Sequence, residues 1–279
     1  MAVSRDQLEA LSKTDVAEPI PQETLLPVLT SPPFIPTQSM INLRDPGLVP
    51  GSNLPRSRFY RSGILAAAAD DPAALAWLGG HVKRIFDLRK ASERASHPDP
   101  RVEGVENVWF ETQGEYPDPE VGEFVEEDGK KAWKKQLMVI TDNYRPVFRA
   151  VLEHVRDRPA DPVLFHCTGG RDRTGALAGL LHTLAGTPHD TIVLDYMLSR
   201  VGVEPAREQL KHFALENSGA DSEETPGFRE MVDLKPAYLE GLEEGLEERY
   251  GGWEGYVTSA DGLGMTKEDL ETVKKNLRS

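Results

Sequence analysis

The sequence predicts an α/β fold, a central and mostly parallel sheet flanked by helices. Three short apolar runs carry that prediction: "RFYRSGIL" (58–65), "VKRIFDLR" (82–89) and "PVLFHC" (162–167). Each has the length and the β-branched or aromatic content of a strand, and helical patterns lie between them. The third run leads through a glycine-rich turn into "TGALAGLLHTLAG" (174–186), a helix closed by Gly186.

The remaining elements follow in chain order. Residues 1–15 read as a short helix with Leu8 and Leu11 on one side. Six prolines between Pro19 and Pro36 predict an extended stretch, because proline lacks a donor and restricts its predecessor. That stretch is either a linker or an arm packed through Leu25, Leu26, Val28, Leu29, Phe34 and Ile35; its apolar content favours the arm. The pattern changes at Ile41, so residues 1–40 are taken as a helix and proline-rich arm and 41–279 as a single domain. Within that domain, "PAALAWLGGHV" is a helix with Pro72 near its start, and "VENVWFE" is a further strand. Residues 114–130 read as an acidic, mobile loop, and one helix is expected from about Lys131 to Arg156. "HDTIVLDYMLSR" and "PAYLEGLEEGLEERYGG" are helical, and "TKEDLETVKKNL" carries a capping box in Thr266 and Asp269. These last segments form an extra helical C-terminal region. No internal repeat is present.

Composition narrows the function. The 279 residues carry a net charge of -14, which argues against nucleic acid and anionic membranes as partners. A mean hydropathy of -0.45 is that of an ordinary soluble protein. One cysteine allows no internal disulfide and points to a reducing compartment. There is no apolar signal core at the N-terminus and no run near the ~20 residues that span a bilayer. A cytoplasmic protein without stable membrane insertion is expected. Oligomeric state leaves no mark in the sequence.

The sole cysteine stands in "HCTGGRDRTG" (166–175), between a strand and a helix. Gly169 and Gly170 let the backbone turn several N–H groups inward as a nest for an anion, to which Thr168 and Arg171 also contribute. The following helix adds its own unpaired N–H groups and partial positive charge. Arg173 offers a bidentate fork for two oxygens of a tetrahedral dianion. Cationic neighbours and a helix N-terminus also favour the thiolate form of a cysteine. In-line attack by Cys167 on a bound phosphoryl group would then give a cysteinyl-phosphate for water to hydrolyse. A merely packed structural cysteine is the competing reading, and the joint pattern of His166, Gly170, Asp172, Arg173, Thr174 and Gly175 weighs against it. The histidines at 81, 97, 154, 182, 189 and 212 show no metal-ligand spacing, so neither metal nor other cofactor is expected.

"HCTGGRDRTG" resembles the H-C-x-x-G-x-x-R-[ST]-G signature of the protein-tyrosine-phosphatase superfamily. It is most similar to the C-x-x-G-[KR]-D-R-T-G loop of atypical tyrosine/serine phosphatases of bacterial and fungal type. "INLRDPG" resembles that family's N-F-R-D-L-G opening, "RFYRSGIL" its R-L-[FY]-R-S-G-x-L segment, and "IFDLR" its I-x-D-L-R strand. "LDYMLSR" resembles its D-Y-x-x-S helix, and "YLEGLEEGLEERYGGWEGYV" its helical tail. The likeness runs from Ile41 to Leu277. Departures are Pro46 in place of leucine and Arg171 where many relatives have lysine, which touches substrate preference more than activity.

The resemblance implies a cysteine-phosphatase-like fold and a phosphomonoester hydrolase. Cys167 would be the nucleophile, Arg173 the phosphate clamp, Thr174 a donor to the leaving thiolate, and His166 a support for the loop. The leaving oxygen needs a general acid. Asp172 holds that role by family likeness, with Asp87 and then Glu115 or Asp118 as competitors. Arg44, Asp45 and Arg61 either rim the pocket or form buried ion pairs. Asp195 and Tyr196 are expected to pack or to support other residues. Phosphotyrosine or phosphoserine proteins rank first as substrates. Phosphoinositides or small phosphoesters rank second, with Arg171 as a possible second cation for multiply phosphorylated headgroups. A silent phosphate-binding module and another cysteine-loop enzyme, a sulfurtransferase or arsenate reductase, are the competing classes.

Overall fold

The computed structural model describes residues 3–114 and 119–279. Its sheet contains β1 (Phe59–Ser62), β2 (Arg84–Asp87), β3 (Glu106–Trp109) and β4 (Val163–His166). All pairings are parallel and the order is β1-β4-β2-β3. The expected α/β class is therefore the observed one. The cysteine strand β4 is inserted between β1 and β2, so its C-terminal end has a neighbour on each side.

Helices in chain order are α1 (Arg5–Ser12), α2 (Gln22–Leu29), α3 (Pro72–His81), α4 (Ala91–Ser96), α5 (Lys130–Asn143) and α6 (Arg145–Asp157). They continue with α7 (Asp172–Ala185), α8 (His189–Met197), α9 (Ser199–Gly202) and α10 (Arg207–Asn217). The chain ends with α11 (Phe228–Val232), α12 (Pro236–Tyr250), α13 (Trp253–Thr258) and α14 (Lys267–Asn276). None of the described helices is long and apolar enough to cross a membrane.

Strand alternation divides the core. Phe59, Phe86, Val163 and Phe165 pack on one side with residues of α5, α6, α7 and α12 to α14. Tyr60, Ile85 and Leu164 pack on the other with Met40, Leu43, Ala74 and Leu78. Local signals behave as their chemistry requires. Asp71 caps α3 ahead of Pro72, Gly186 closes α7 at φ 73°, and Thr266 and Asp269 form the capping box of α14.

Three expectations are corrected. The single helix across 131–156 is two, because Pro146 has no N–H to continue the ladder and the chain breaks at Tyr144. The proline-rich stretch is not wholly extended, since α2 forms with Pro27 inside it. Leu25 and Val28 are buried there with Leu194, Leu198 and Val201, and that burial outweighs the lost hydrogen bond. Leu26, expected in the contact, is exposed. The described part of the acidic loop is anchored: Phe124 is fully buried and meets Trp133 edge-on, with ring centroids 5.5 Å apart.

The arm is tied down by polar contacts too. Arg200 of α9 donates to the carbonyls of Thr14, Asp15 and Glu18, and Arg5 pairs with Asp190 of α8.

Candidate active site

Cys167 follows β4 directly and is 3% exposed. Helix α7 begins five residues later at Asp172. The site thus lies off the carboxyl ends of the strands, where open parallel sheets place their ligands. Among the described residues, no hydrogen bond takes up the backbone N–H of Thr168, Gly169, Gly170 or Arg171. Gly170 has φ +65°, and a Cβ there would lie 2.4 Å from the carbonyl of Ser62, so no other residue fits that turn.

The loop is held from behind by buried polar groups. Asn42 donates Nδ2–H to the carbonyls of Gly169 (3.1 Å) and Gly170 (2.9 Å). Arg61 on β1 donates to the Gly170 carbonyl at 3.0 Å. Arg61 and Arg44 both reach Asp195 on α8, at 2.6 and 2.8 Å. All three are buried. Burial pushes the Asp195 carboxyl up, yet the two guanidinium groups hold it well below the usual carboxylate range. Burial and the neighbouring Arg61 bring Arg44 down to about 10, which leaves it charged at neutral pH. Of the two readings for Arg44, Asp45 and Arg61, buried ion pairing is observed for the two arginines. Asp45 is buried as well, but it accepts from the backbone of Gly47 and Ser57 and forms no ion pair among the described residues.

Arg173, in the first turn of α7, is almost buried. Its Nη1 lies 2.6 Å from Glu93 Oε2 and its Nη2 2.8 Å from Glu93 Oε1, a two-point pair with α4. Nη1 also donates to the Leu88 carbonyl (3.1 Å) and to the Tyr144 hydroxyl (3.4 Å). Glu93 accepts from Thr168 of the loop as well. Burial raises the Glu93 carboxyl, but the bonds and charge of Arg173 outweigh it and bring it to about 2. Burial opposes charge on Arg173 too, and the bond to Glu93 together with the neighbouring Cys167 and Tyr144 more than offsets it, holding the guanidinium well above its ordinary range.

His166 is fully buried, with Nε2 3.0 Å from Asp99 Oδ2 and Nδ1 3.3 Å from the Cys167 carbonyl oxygen. Asp87 is its register partner on β2. Both Asp87 oxygens accept from Arg89, at 2.8 Å each, and Arg89 also reaches Asp99 at 2.7 Å. Asp87, Asp99 and His166 bring ligand-type atoms within 4.8 Å of one another, but the Arg89 guanidinium already supplies the cation between the two carboxylates.

Asp172 is placed differently. Its side chain is 25% exposed and accepts from Arg171 Nε at 2.9 Å. Arg171 turns away from the loop: Nη1 donates to the Val232 carbonyl at 2.6 Å, and the guanidinium lies 5.2 Å from the Trp133 ring centre. Thr174 is fully buried, and its Oγ1 has no hydrogen-bond partner among the described residues. Glu115 and Asp118 lie outside the described residues.

Four residues at this site were not singled out from sequence. Asn42 lies inside "INLRDPG", where nothing in its residue type marks an amide as a support for a distant loop. Tyr144 is brought in by the helix break that Pro146 causes. Glu93 and Asp99 sit in "KASERASHPDP" (90–100), where nothing in residue type distinguishes them from surface carboxylates. Their nearness to "IFDLR" was the available signal.

Several known proteins are similar to this chain. The model of a tyrosine phosphatase family matches residues 35–279. A tyrosine-protein phosphatase from Nostoc commune is 32% identical over 242 residues, covering 80% of this chain and 75% of that protein. The triple specificity protein phosphatase PtpB of Mycobacterium tuberculosis is 28% identical over 106 residues, or 36% of this chain and 38% of that one. The solved structure of a cysteine-to-serine variant of P. aeruginosa TpbA in complex with pTyr aligns at 20% identity. That alignment covers 70% of this chain and 97% of the other, with a TM-score of 0.30. With the family's pattern matched from Ile35 to the last residue, the cysteine loop included, the chain belongs to the tyrosine phosphatase family and is a phosphatase.

Proposed function

We propose that the chain hydrolyses phosphomonoesters through a cysteinyl-phosphate, with phosphotyrosine and phosphoserine proteins as its first substrate class. The observation that carries this is the loop. Cys167 stands at the mouth of a turn whose N–H groups at 168–171 are not otherwise engaged among the described residues, and Arg173 lies beside it at the start of α7. Such a turn cradles the phosphoryl oxygens, and Arg173 adds the charge that grows on them.

In the first step the Cys167 sulfur attacks phosphorus, the S–P bond forms, and the P–O bond to the leaving group breaks. Asp172 gives its proton to the departing oxygen. Exposure favours Asp172 over Asp87, whose side chain is 2% exposed with both oxygens on Arg89. In the second step water attacks phosphorus, Asp172 takes its proton, and the S–P bond breaks to release phosphate and thiolate. The Thr174 hydroxyl, which has no hydrogen-bond partner among the described residues, is suited to donate to that sulfur. Glu93 would keep Arg173 aimed while the substrate is absent, and the chemistry calls for no cofactor.

Arg171 bears on substrate choice. Its guanidinium is committed to Val232, Asp172 and the face of Trp133, which favours substrates with a single phosphoryl group over multiply phosphorylated headgroups. The similarity to a mycobacterial triple specificity protein phosphatase supports a site not confined to phosphotyrosine. A single cysteine suits a reducing, cytoplasmic setting. Residues 41–279 are read as one phosphatase domain and 1–40 as an arm bracing α8 and α9.

The test is hydrolysis of p-nitrophenyl phosphate by the wild type and by Cys167→Ser, followed by a kcat/KM panel. Phosphotyrosine peptide, phosphoserine peptide, phosphoinositides and small phosphoesters make up the panel. Peptides should lead it; a phosphoinositide ahead of both peptides would reverse the substrate assignment.

A further inference from the structure

The two nitrogens of His166 both face acceptors. Nε2 meets the Asp99 carboxylate at 3.0 Å, and Nδ1 meets the Cys167 carbonyl at 3.3 Å. A carbonyl has no proton to give. The Asp99 carboxylate is ion-paired with the buried Arg89 guanidinium at 2.7 Å, and that pairing leaves it no proton to give either. A neutral imidazole carries one N–H and would set a lone pair against one of these oxygens. Only the imidazolium satisfies both contacts.

Charge balance agrees. The groups facing His166 are Asp87 from β2, Arg89 just after it, Asp99 beyond α4, and Cys167 at the end of its own strand. Arg94 of α4 reaches Asp87 at 3.6 Å, and the β1 register partner, Ser62, is uncharged. Asp87 pairs with Arg89 through two bonds, which leaves Asp99 Oδ2 for the histidine. Two carboxylates, one guanidinium and one imidazolium make a neutral buried cluster.

We propose that Asp99 is a positioning residue that keeps His166 doubly protonated, so that the imidazolium pins the Cys167 carbonyl and holds a fixed positive charge one residue from the nucleophilic sulfur. This rests on Cys167 being the nucleophile. Burial by itself would strip the proton from His166, but Asp99 and Asp87 together outweigh it and raise the ring above its ordinary 6.5. In a water-poor setting such a charge is weakly screened and acts strongly at short range.

Nitrogen NMR of the full chain labelled at histidine tests this, with the His166 signals assigned by their loss in His166→Gln. Wild-type His166 should show two protonated nitrogens at pH 7.5, and a neutral ring at that pH would overturn the proposal. In Asp99→Asn the ring should titrate at least about one pH unit lower than in the wild type. The variant's kcat/KM for p-nitrophenyl phosphate, relative to wild type, should then fall about tenfold more at pH 8 than at pH 6. Asp99→Glu should restore the wild-type profile. A purely structural role would lower activity equally at all pH values, and that result would also overturn the proposal. If Asp99→Asn does not fold, the wild-type titration still decides. A wild type inert toward p-nitrophenyl phosphate would instead sink the phosphatase mechanism while leaving the ring's protonation readable.

Discussion

Glu93 and Arg173 meet through two parallel contacts of 2.6 and 2.8 Å, and Glu93 also takes the hydroxyl of Thr168. One carboxylate from α4 therefore spans both ends of the candidate phosphate loop. Both partners are largely shielded from water, so the pair is unlike the solvent-exposed bridges that contribute little.

Replacing Glu93 by Gln should lower kcat/KM by about 10- to 100-fold, because Arg173 loses its aim and 1 Å errors are costly. Stability should change with pH in a defined sense. The folded-state value of about 2 lies below the ordinary 4.5, so Glu93 contributes stability that is fully present above pH 4.5 and lost as pH falls through about 2. That contribution is on the order of 3 kcal/mol. Urea unfolding of wild type and Glu93→Gln at pH 6 and pH 3 should show the gap narrowing at the lower pH.

Asp172→Asn and Asp87→Asn should fail in different ways. Without its proton donor, Asp172→Asn should lose about 10²–10⁴-fold in kcat on alkyl phosphates. It should lose far less on p-nitrophenyl phosphate, whose leaving group departs unprotonated. Asp87→Asn leaves Arg89 short of a buried partner and should lower stability by about 3–5 kcal/mol. A leaving-group dependence in Asp87→Asn and none in Asp172→Asn would exchange the two roles.

Asp195→Asn should unfold more readily by a comparable amount, about 3–5 kcal/mol, since Arg44 and Arg61 share its carboxylate in the interior. Arg61 also holds the Gly170 carbonyl, so activity should fall in molecules that remain folded. Thermal melts and p-nitrophenyl phosphate turnover on the same sample separate the two effects.

Gly170→Ala should be poorly tolerated. The left-handed backbone alone costs an alanine about 1–2 kcal/mol, and its methyl would press on the Ser62 carbonyl. Activity should fall by more than about tenfold as the loop shifts. An alanine variant with wild-type kcat/KM would show that the turn is less constrained than its geometry requires.

Much of this fold is legible because its signals are local. The strands ending at Ser62, Asp87 and His166 and the helix closed by Gly186 follow from short patterns that tertiary packing left intact. Where packing or a single proline overrules the pattern, local signals mislead: Leu25 and Val28 make α2 helical around Pro27, and Pro146 splits α5 from α6. The cysteine loop could be read because its residues are contiguous. Glu93 and Asp99 could not, because they approach Arg173 and His166 only after the chain has left β2 and folded back. Arg171 shows the reverse: its type suggested a phosphate contact, and its actual partner is a carbonyl 61 residues away.

The most direct test of the central claim is to catch the covalent intermediate. Enzyme mixed with a phosphotyrosine peptide and quenched in acid within one turnover should carry a phosphoryl group on the peptide containing Cys167, as read by mass spectrometry. Cys167→Ser should show no phosphocysteine, and its turnover should fall by on the order of 10⁴-fold or more. Phosphate on any other residue, or a Cys167→Ser variant that turns over at the wild-type rate, would contradict the account.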